Sequence, residues 1–549
     1  MSSESTARGL AGALIDRFAA WYFQLPAETS SYTFQSTLIP LDNGVRLAAD
    51  IYQPLSPPLG TLLAFSPYGR GLAFSVATAR IFACRGYQVL MVSTRGTFGS
   101  SGTFDPARTE VEDCQGVVNW LRQQPWYSGS FATLGASFLG YAQWALLEHQ
   151  PDDMAAAAIS VGPHDFSKHF WGTGAFNLDL IGWADMVSHQ EDGGLFARSR
   201  HMASAKTRLQ PVLDAMPLAD AADELFASRA PWLRDRIVRN DLSDPFWKPT
   251  QHQGAVERAT IPIFLISGWY DLFLAQTMEQ YSILSKRGIK VALTIGPWSH
   301  LGVSGGGTVK QTLEWFNEHL AHREENTRDM PVHVYVTGAA EWRRIPSWPP
   351  ATVPRVLYVD SFNKLSSERP IGESSTYVFK ADPEAPTPTM GGPLLFNGGS
   401  VDDTALSKRS DVQTFTSSPF EDDVEVLGAA FVELTHTSDN PHVDLFVRLS
   451  EVNAQGVSHN ITERYRRLDP KRDSNIVQLS FLDCAHRFCK GTSLRLLIAG
   501  SCHPQFARNH GTGENPGTGS ETKSATHSIY YGGSTVSKIV LPIGEAVSG

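Results

Sequence analysis

Cysteine is scarce in this chain: Cys84, Cys114, Cys484, Cys489 and Cys502 are the only five in 549 residues. So few, in an odd number, exclude a disulfide framework as the basis of the fold. Cys484, His486, Cys489, Cys502 and His503 are metal-ligating types close together in sequence, but they include no CxxC pair. Buried or idle thiols are therefore expected, and neither a metal nor a cofactor is assigned. Charge is modest as well, at 19% Asp, Glu, Lys and Arg with a net −10. A net acidic surface attracts neither a phosphate backbone nor anionic lipid, which argues against nucleic-acid and membrane partners. Long apolar runs are missing: nothing approaches the roughly 18 consecutive apolar residues of a membrane span. Residues Met1 to Gln24 lack a basic stretch followed by a continuous apolar core, so no secretion signal is read and a cytoplasmic location is expected. Within them Leu10, Leu14, Ile15, Phe18 and Trp21 recur at helical spacing, predicting an amphipathic helix packed on the protein's own surface.

What is present is the composition of an ordinary globular protein, with 42% hydrophobic residues. The length exceeds one compact core and implies two or three domains. Residues 34–41 and 45–52, separated by Asp42-Asn43-Gly44, read as an antiparallel hairpin. Short apolar runs then recur near 61–65, 88–93, 131–134, 156–160, 262–267, 291–295 and 332–336, with helical stretches such as 108–123 between several of them. That alternation predicts a mostly parallel sheet covered on both faces. It breaks at 166–252, where helical periodicity (Leu209, Val212, Leu213, Met216, Leu218) suggests an inserted cap over the carboxyl ends of the strands. From 346 onward, alternating Val, Thr and Phe with frequent turns predict an all-β sandwich. The expected division is 1–165 and 253–345 for an α/β domain, 166–252 for the cap and 346–549 for the sandwich.

The chemistry centres on residues 133–140, Thr-Leu-Gly-Ala-Ser-Phe-Leu-Gly, which read as strand, sharp turn and helix with Ser137 at the turn. The usual nucleophile pattern is G-x-S-x-G; here the second glycine, Gly140, comes one place late. A serine hydroxyl is a weak nucleophile and needs a base, itself oriented by a carboxylate. Asp271 follows the strand ending in Gly268-Trp269-Tyr270, and His300 follows the one ending in Gly296-Pro297-Trp298-Ser299. Ser, Asp and His in that order, each after a strand, is the α/β-hydrolase arrangement. An oxyanion hole needs two donors. The backbone N–H of Phe138 supplies one, and Tyr68 after the strand at 61–65 could be the other or could be an aromatic that only packs; spacing does not choose.

Taken together the motifs resemble the cocaine esterase-like (CocE/NonD) hydrolases, related to X-prolyl dipeptidyl aminopeptidases and α-amino acid ester hydrolases. The likeness rests on Asp50-Ile51-Tyr52, Pro67-Tyr68, Thr94-Arg95-Gly96 with Gly99 to Gly102, Gly135-Ala136-Ser137, the two segments ending in Asp271 and His300, and Asn509 to Gly513. It implies an α/β-hydrolase fold with an inserted helical cap and a C-terminal jelly roll. It also implies Ser137 as nucleophile, His300 as base, Asp271 as its orienter, and the Tyr68 hydroxyl with the Phe138 N–H as oxyanion hole. One departure is Phe138, where the family commonly has tyrosine. Trp171 stands where similar enzymes have an aromatic facing the acyl group, though a structural tryptophan fits equally. The function expected is hydrolysis of small-molecule carboxylic esters, or amides, through an acyl-enzyme. The alternatives are X-Pro dipeptidyl-peptidase or α-amino acid ester hydrolase activity, for which the cap offers Asp179, Asp185, Glu191 and Asp192 as grips for a free amine. A catalytically silent scaffold binding a partner through the jelly roll is the alternative of another class. Whether the chain forms a homo-oligomer is open.

Overall fold

In the computed structural model, which describes residues 4–226, 228–305, 307–323 and 328–544, the chain up to Ile345 builds one sheet of 11 strands. They are β1 (Thr6–Ala7), β2 (Tyr32–Pro40), β3 (Arg46–Pro54), β4 (Thr61–Ser66), β5 (Gln88–Ser93), β6 (Phe131–Ala136), β7 (Met154–Ser160), β8 (Ile263–Tyr270), β9 (Val291–Ser299), β10 (Val332–Val336) and β11 (Glu341–Ile345). Their spatial order is β1-β2-β3-β5-β4-β6-β7-β8-β9-β10-β11. From β5 to β10 all neighbours are parallel. The predicted hairpin is β2 and β3, paired from Tyr32 with Pro54 to Pro40 with Arg46.

The central strands are continuously apolar because both faces are covered. Leu63 and Phe65 of β4 point toward the helices Glu110–Arg122, Phe138–Leu147 and Leu274–Lys286, where Val117, Trp144 and Leu284 are buried. Leu62 and Ala64 point the other way, onto Phe82 and onto Phe316 of the helix Thr308–His319. Successive residues thus serve opposite cores, as the period of a strand requires.

Between β7 and β8 the chain runs through the helices Phe166–Trp171, Asp179–His189, Leu195–Leu213, Leu218–Phe226 and Leu233–Val238. These close around their own core of Trp171, Phe176, Ile181, Trp232, Ile237 and Trp247. From Thr352 to Gly544 the chain forms a second, 13-stranded sheet system folded over a separate apolar core. The architecture is an α/β-hydrolase fold with a C-terminal β-sandwich, as the alternation and then loss of helical segments predicted. Trp348 joins the two parts: its ring lies 5.3 Å from that of Trp269, and its indole N–H donates to Asp483 Oδ1 at 2.8 Å.

The N-terminal helix Leu10–Tyr22 forms where expected but presents the opposite face. Its apolar stripe points outward, with Leu10 88% and Trp21 73% exposed, while Asp16 is buried. Asp16 meets Arg80 at 2.8 Å and Arg8 at 3.4 Å, and accepts from the Tyr32 hydroxyl at 3.0 Å. A carboxylate with that many partners outweighs an apolar stripe in orienting the helix, because leaving any of those charges buried and unpaired costs several kcal/mol, roughly 3–5. Among the described residues, no helix is long and apolar enough to cross a membrane.

Candidate active site

Ser137 sits between β6 and the helix Phe138–Leu147, with φ 60° and ψ −121°. A non-glycine residue in that region is strained, and the strain lifts the hydroxyl off the strand end. The flanking glycines explain the shifted motif. A Cβ at Gly135 would lie 2.3 Å from the Leu139 Cβ, so only glycine lets the helix begin here. A Cβ at Gly140 would lie 2.6 Å from the Gly162 Cα. The close helix-to-strand approach falls at position 140, and position 139 is free to carry leucine.

Asp271 and His300 reach Ser137 from the neighbouring strands β8 and β9. A Cβ at Gly268 would stand 2.1 Å from the Trp298 carbonyl oxygen, and the register shifts between Gly268 and Tyr270. The two strand ends are drawn together there, which sets both side chains over one point. His300 Nε2 is 2.9 Å from Ser137 Oγ, and His300 Nδ1 is 2.7 Å from Asp271 Oδ1. The other carboxylate oxygen, Oδ2, accepts from the Ser267 hydroxyl at 2.8 Å. Asp271 is fully buried and His300 nearly so. In that water-poor setting the carboxylate fixes the orientation of the ring.

Tyr68 follows β4. Its hydroxyl lies in hydrogen-bonding contact with the Ser137 side chain and the Phe138 backbone N–H, and burial raises its pKa. It also accepts from the Trp183 indole N–H at 3.1 Å. The Trp183 and Phe138 N–H groups can only donate to the phenolic oxygen, which leaves the phenolic proton to point at a third group. Trp183 was not singled out from sequence; nothing in its spacing within Asp179–His189 links it to a residue 115 positions earlier. Its ring stacks on Phe138 at 6.0 Å.

These residues line a narrow cavity of about 40 Å³ completed by Phe166, His169, Phe170, Asp179, Leu180, Leu272, Phe273 and Leu395. Trp171 is not among the residues that line it. Trp171 lies in the core of the helical segment, its indole N–H donating to the Arg236 carbonyl at 2.8 Å, and Trp183 is the tryptophan that faces the cavity. The two belong to successive helices, and the first is turned inward by that hydrogen bond. Burial lowers the His169 pKa to about 3 and raises that of Asp179 to about 7. The Leu395 N–H hydrogen-bonds to the Asp179 carboxyl, but Oδ2 has no partner. The other acids of this segment are engaged: Asp185 with Arg208 at 2.5 Å, Glu191 with the Phe98 N–H at 3.0 Å, and Asp192 with Arg229 at 2.7 Å.

The five cysteines are free. The late Cys and His residues have separate neighbours: His486 faces Glu451 at 2.6 Å, and His503 faces Asp214 at 2.8 Å. Among the described residues, Asp185, His189 and His201 bring ligand atoms within 4.8 Å of one another. Arg208 Nη2 stands 2.5 Å from Asp185 Oδ2 and 2.8 Å from His201 Nε2, so a guanidinium already occupies the place of a cation.

The family model described as "X-Pro dipeptidyl-peptidase (S15 family)" matches residues 43–302, and that of the "X-Pro dipeptidyl-peptidase C-terminal non-catalytic domain" matches 325–540. The chain is 26% identical to cocaine esterase of Rhodococcus sp. (strain MB1 Bresler), an alignment covering 92% of this chain and 98% of that protein. It is 23% identical to a putative serine esterase of Mycobacterium bovis over 89% of this chain and 94% of the other. An α-amino acid ester hydrolase superposes with a TM-score of 0.80 at 20% identity, over 95% of this chain and 98% of that one. A CocE/NonD family hydrolase from Staphylococcus aureus gives 0.68 at 16% identity, over 94% of each chain. Both likenesses are of fold.

Proposed function

Since the chain belongs to the cocaine esterase-like (CocE/NonD) hydrolases and is an enzyme of that type, we propose that it cleaves small carboxylic esters by way of an acyl-enzyme on Ser137. His300 Nε2 takes the Ser137 proton as Oγ attacks the carbonyl carbon. The C=O π electrons move onto the oxygen, and the resulting oxyanion is held by the Tyr68 O–H and the Phe138 N–H. Collapse re-forms the carbonyl and breaks the bond to the leaving group, which departs with the proton from His300. Water, deprotonated by the same nitrogen, then repeats the sequence and frees the acid. Asp271 keeps His300 in the tautomer whose Nε2 can accept. The observation that carries this reading is the continuous path from Ser137 Oγ through His300 to Asp271, 2.9 Å and then 2.7 Å. The helical stretch 166–252 serves as the cap on an α/β domain of 1–165 and 253–345, with 346–549 as the sandwich.

One observation favours a second reading, hydrolysis of α-amino esters or X-Pro peptides. Asp179 lines the cavity and its Oδ2 has no hydrogen-bond partner, so it could receive a substrate ammonium. A panel of p-nitrophenyl esters of increasing acyl size, run beside α-amino esters and X-Pro substrates, separates the two. The ester reading expects turnover of neutral esters that Ser137→Ala abolishes; turnover confined to substrates with a free amine would move the assignment to the second.

A further inference from the structure

His169 and Leu272, two residues of the catalytic cavity, also line a wider cleft of about 430 Å³ reaching Lys168, Glu279, Glu463 and Arg464. Past Gly172 and Thr173 this opens into an outer recess of about 600 Å³ that shares Arg464 and adds Arg466. The cleft therefore adjoins the cavity at Ser137, across His169 and Leu272, and extends to the strand Ser458–Arg467 of the sandwich.

Along that strand, side chains alternate in role. Tyr465 stacks on Phe506 at 4.2 Å, and Arg467 pairs with Asp444 at 2.8 Å. The Arg467 N–H donates to the Thr173 carbonyl at 2.7 Å, which ties the strand to the end of the helix Phe166–Trp171. Arg464 and Arg466, two apart, share the opposite face. Two carboxylates line the cleft, Glu279 paired with Lys168 at 3.1 Å and Glu463 paired through Oε2 with Arg448 at 2.6 Å, the Glu463 Oε1 having no hydrogen-bond partner; Asp483 of the outer recess accepts from the Trp348 indole at 2.8 Å. Among the described residues, neither Arg464 nor Arg466 has a hydrogen-bonding or ion-pair partner. Burial and the charge of Arg466 both lower the Arg464 pKa. Arg464 is half-buried and Arg466 exposed, and a partly desolvated guanidinium with no protein counter-ion is a ready acceptor for a bound anion.

We propose that this cleft holds an anion subsite in which Arg464, assisted by Arg466, receives a carboxylate that the substrate carries away from its scissile ester. The proposal rests on the reading of Ser137 as nucleophile, and it deepens that reading by naming a substrate class: esters with a remote carboxylate. A planar, two-pronged guanidinium matches that group. The carboxylate can belong to the acyl part or to the leaving group, and the test has an arm for each.

In the first arm, p-nitrophenyl hemiesters of succinic through sebacic acid are compared with neutral acyl esters of equal length. In the second, 4-carboxyphenyl butyrate is compared with 4-acetylphenyl butyrate. The wild type should prefer the carboxylate partner in one arm, with KM lower by about tenfold or more at the best length. Arg464→Gln should cut the ratio of kcat/KM for charged over neutral ester by about tenfold, and Arg464→Lys should restore part of it. Using the ratio cancels any general loss from altered folding. Calorimetric titration with free sebacate reads the subsite without turnover, so it stands even if Ser137 proves not to be the nucleophile. Sebacate should bind the wild type and bind Arg464→Gln more weakly. The proposal is overturned if no chain length in either arm shows the preference, if sebacate binding is undetectable or unchanged by Arg464→Gln, or if the preference survives in the Arg464→Gln, Arg466→Gln double variant.

Discussion

Three aromatic residues, Tyr68, Phe138 and Trp183, line the cavity beside Ser137, and the tasks of Tyr68 and Trp183 are separable. If the Tyr68 proton is used mainly in the transition state, Tyr68→Phe lowers kcat by about 10²–10³-fold with little change in KM. Trp183→Phe keeps most of the ring stacking on Phe138 but frees the phenolic oxygen from its indole donor. A fall in kcat of about tenfold is then expected, with the loss much smaller when Tyr68 is already Phe. Steady-state kinetics on one fast ester measures all three variants, and additive losses would separate Trp183 from the oxyanion hole. Asp179 links the site to pH. Burial holds its pKa at about 7 against an ordinary 3.8, so the folded protein keeps this proton more tightly than the unfolded chain. The group therefore withdraws stability as pH rises from about 4 through 7. Asp179→Asn should melt higher than the parent at pH 8 and alike at pH 4, as scanning calorimetry would read; equal shifts at both would contradict it. How much of this was legible varied with the residue. Ser137, Asp271 and His300 each follow a strand and carry their own motif. Trp183 carries none, because its partner Tyr68 is brought to it only by the folding of the helical segment onto the sheet.

At the level of elements, hydrophobic runs located the strands but stopped short of their ends. β6, β8 and β9 continue to Ala136, Tyr270 and Ser299, past apolar runs that end at 134, 267 and 295. Backbone pairing persists through Gly268 and Gly296 where side-chain pattern no longer marks it, and that extension carries Asp271 and His300 forward toward Ser137. Gly140 is read only in three dimensions. Gly140→Ala sets a Cβ 2.6 Å from the Gly162 Cα, so it should cost about 1–3 kcal/mol in urea unfolding and reduce turnover by shifting the helix behind Ser137. Leu139→Gly, which would restore the usual motif, should improve neither. The N-terminal helix shows the opposite failing: its apolar spacing was plain, but the buried acid decided its orientation. Asp16→Ala leaves Arg80 unpaired in a buried site and should destabilise by about 3 kcal/mol, seen as a lower urea midpoint at unchanged slope.

Across the whole molecule, the sheet presents Ser137, His300 and Asp271, the helices between β7 and β8 supply much of the cavity wall, and the sandwich supplies the far end of the adjoining cleft. The fold class was visible in composition, since a parallel sheet and a β-sandwich have different hydrophobic periods. The packing between them was not, because it depends on single contacts such as Trp348 on Trp269 and the Arg467 N–H on the Thr173 carbonyl. The proposed reaction turns on covalent acylation at one side chain. Treating the intact chain with a fluorophosphonate, then measuring its mass and mapping the modified peptide, tests this directly. The expected result is one adduct per chain, on Ser137, absent from Ser137→Ala, whose ester turnover falls by about 10⁴-fold or more. An adduct elsewhere, or a Ser137→Ala variant that keeps turnover within about tenfold of the parent, would contradict it.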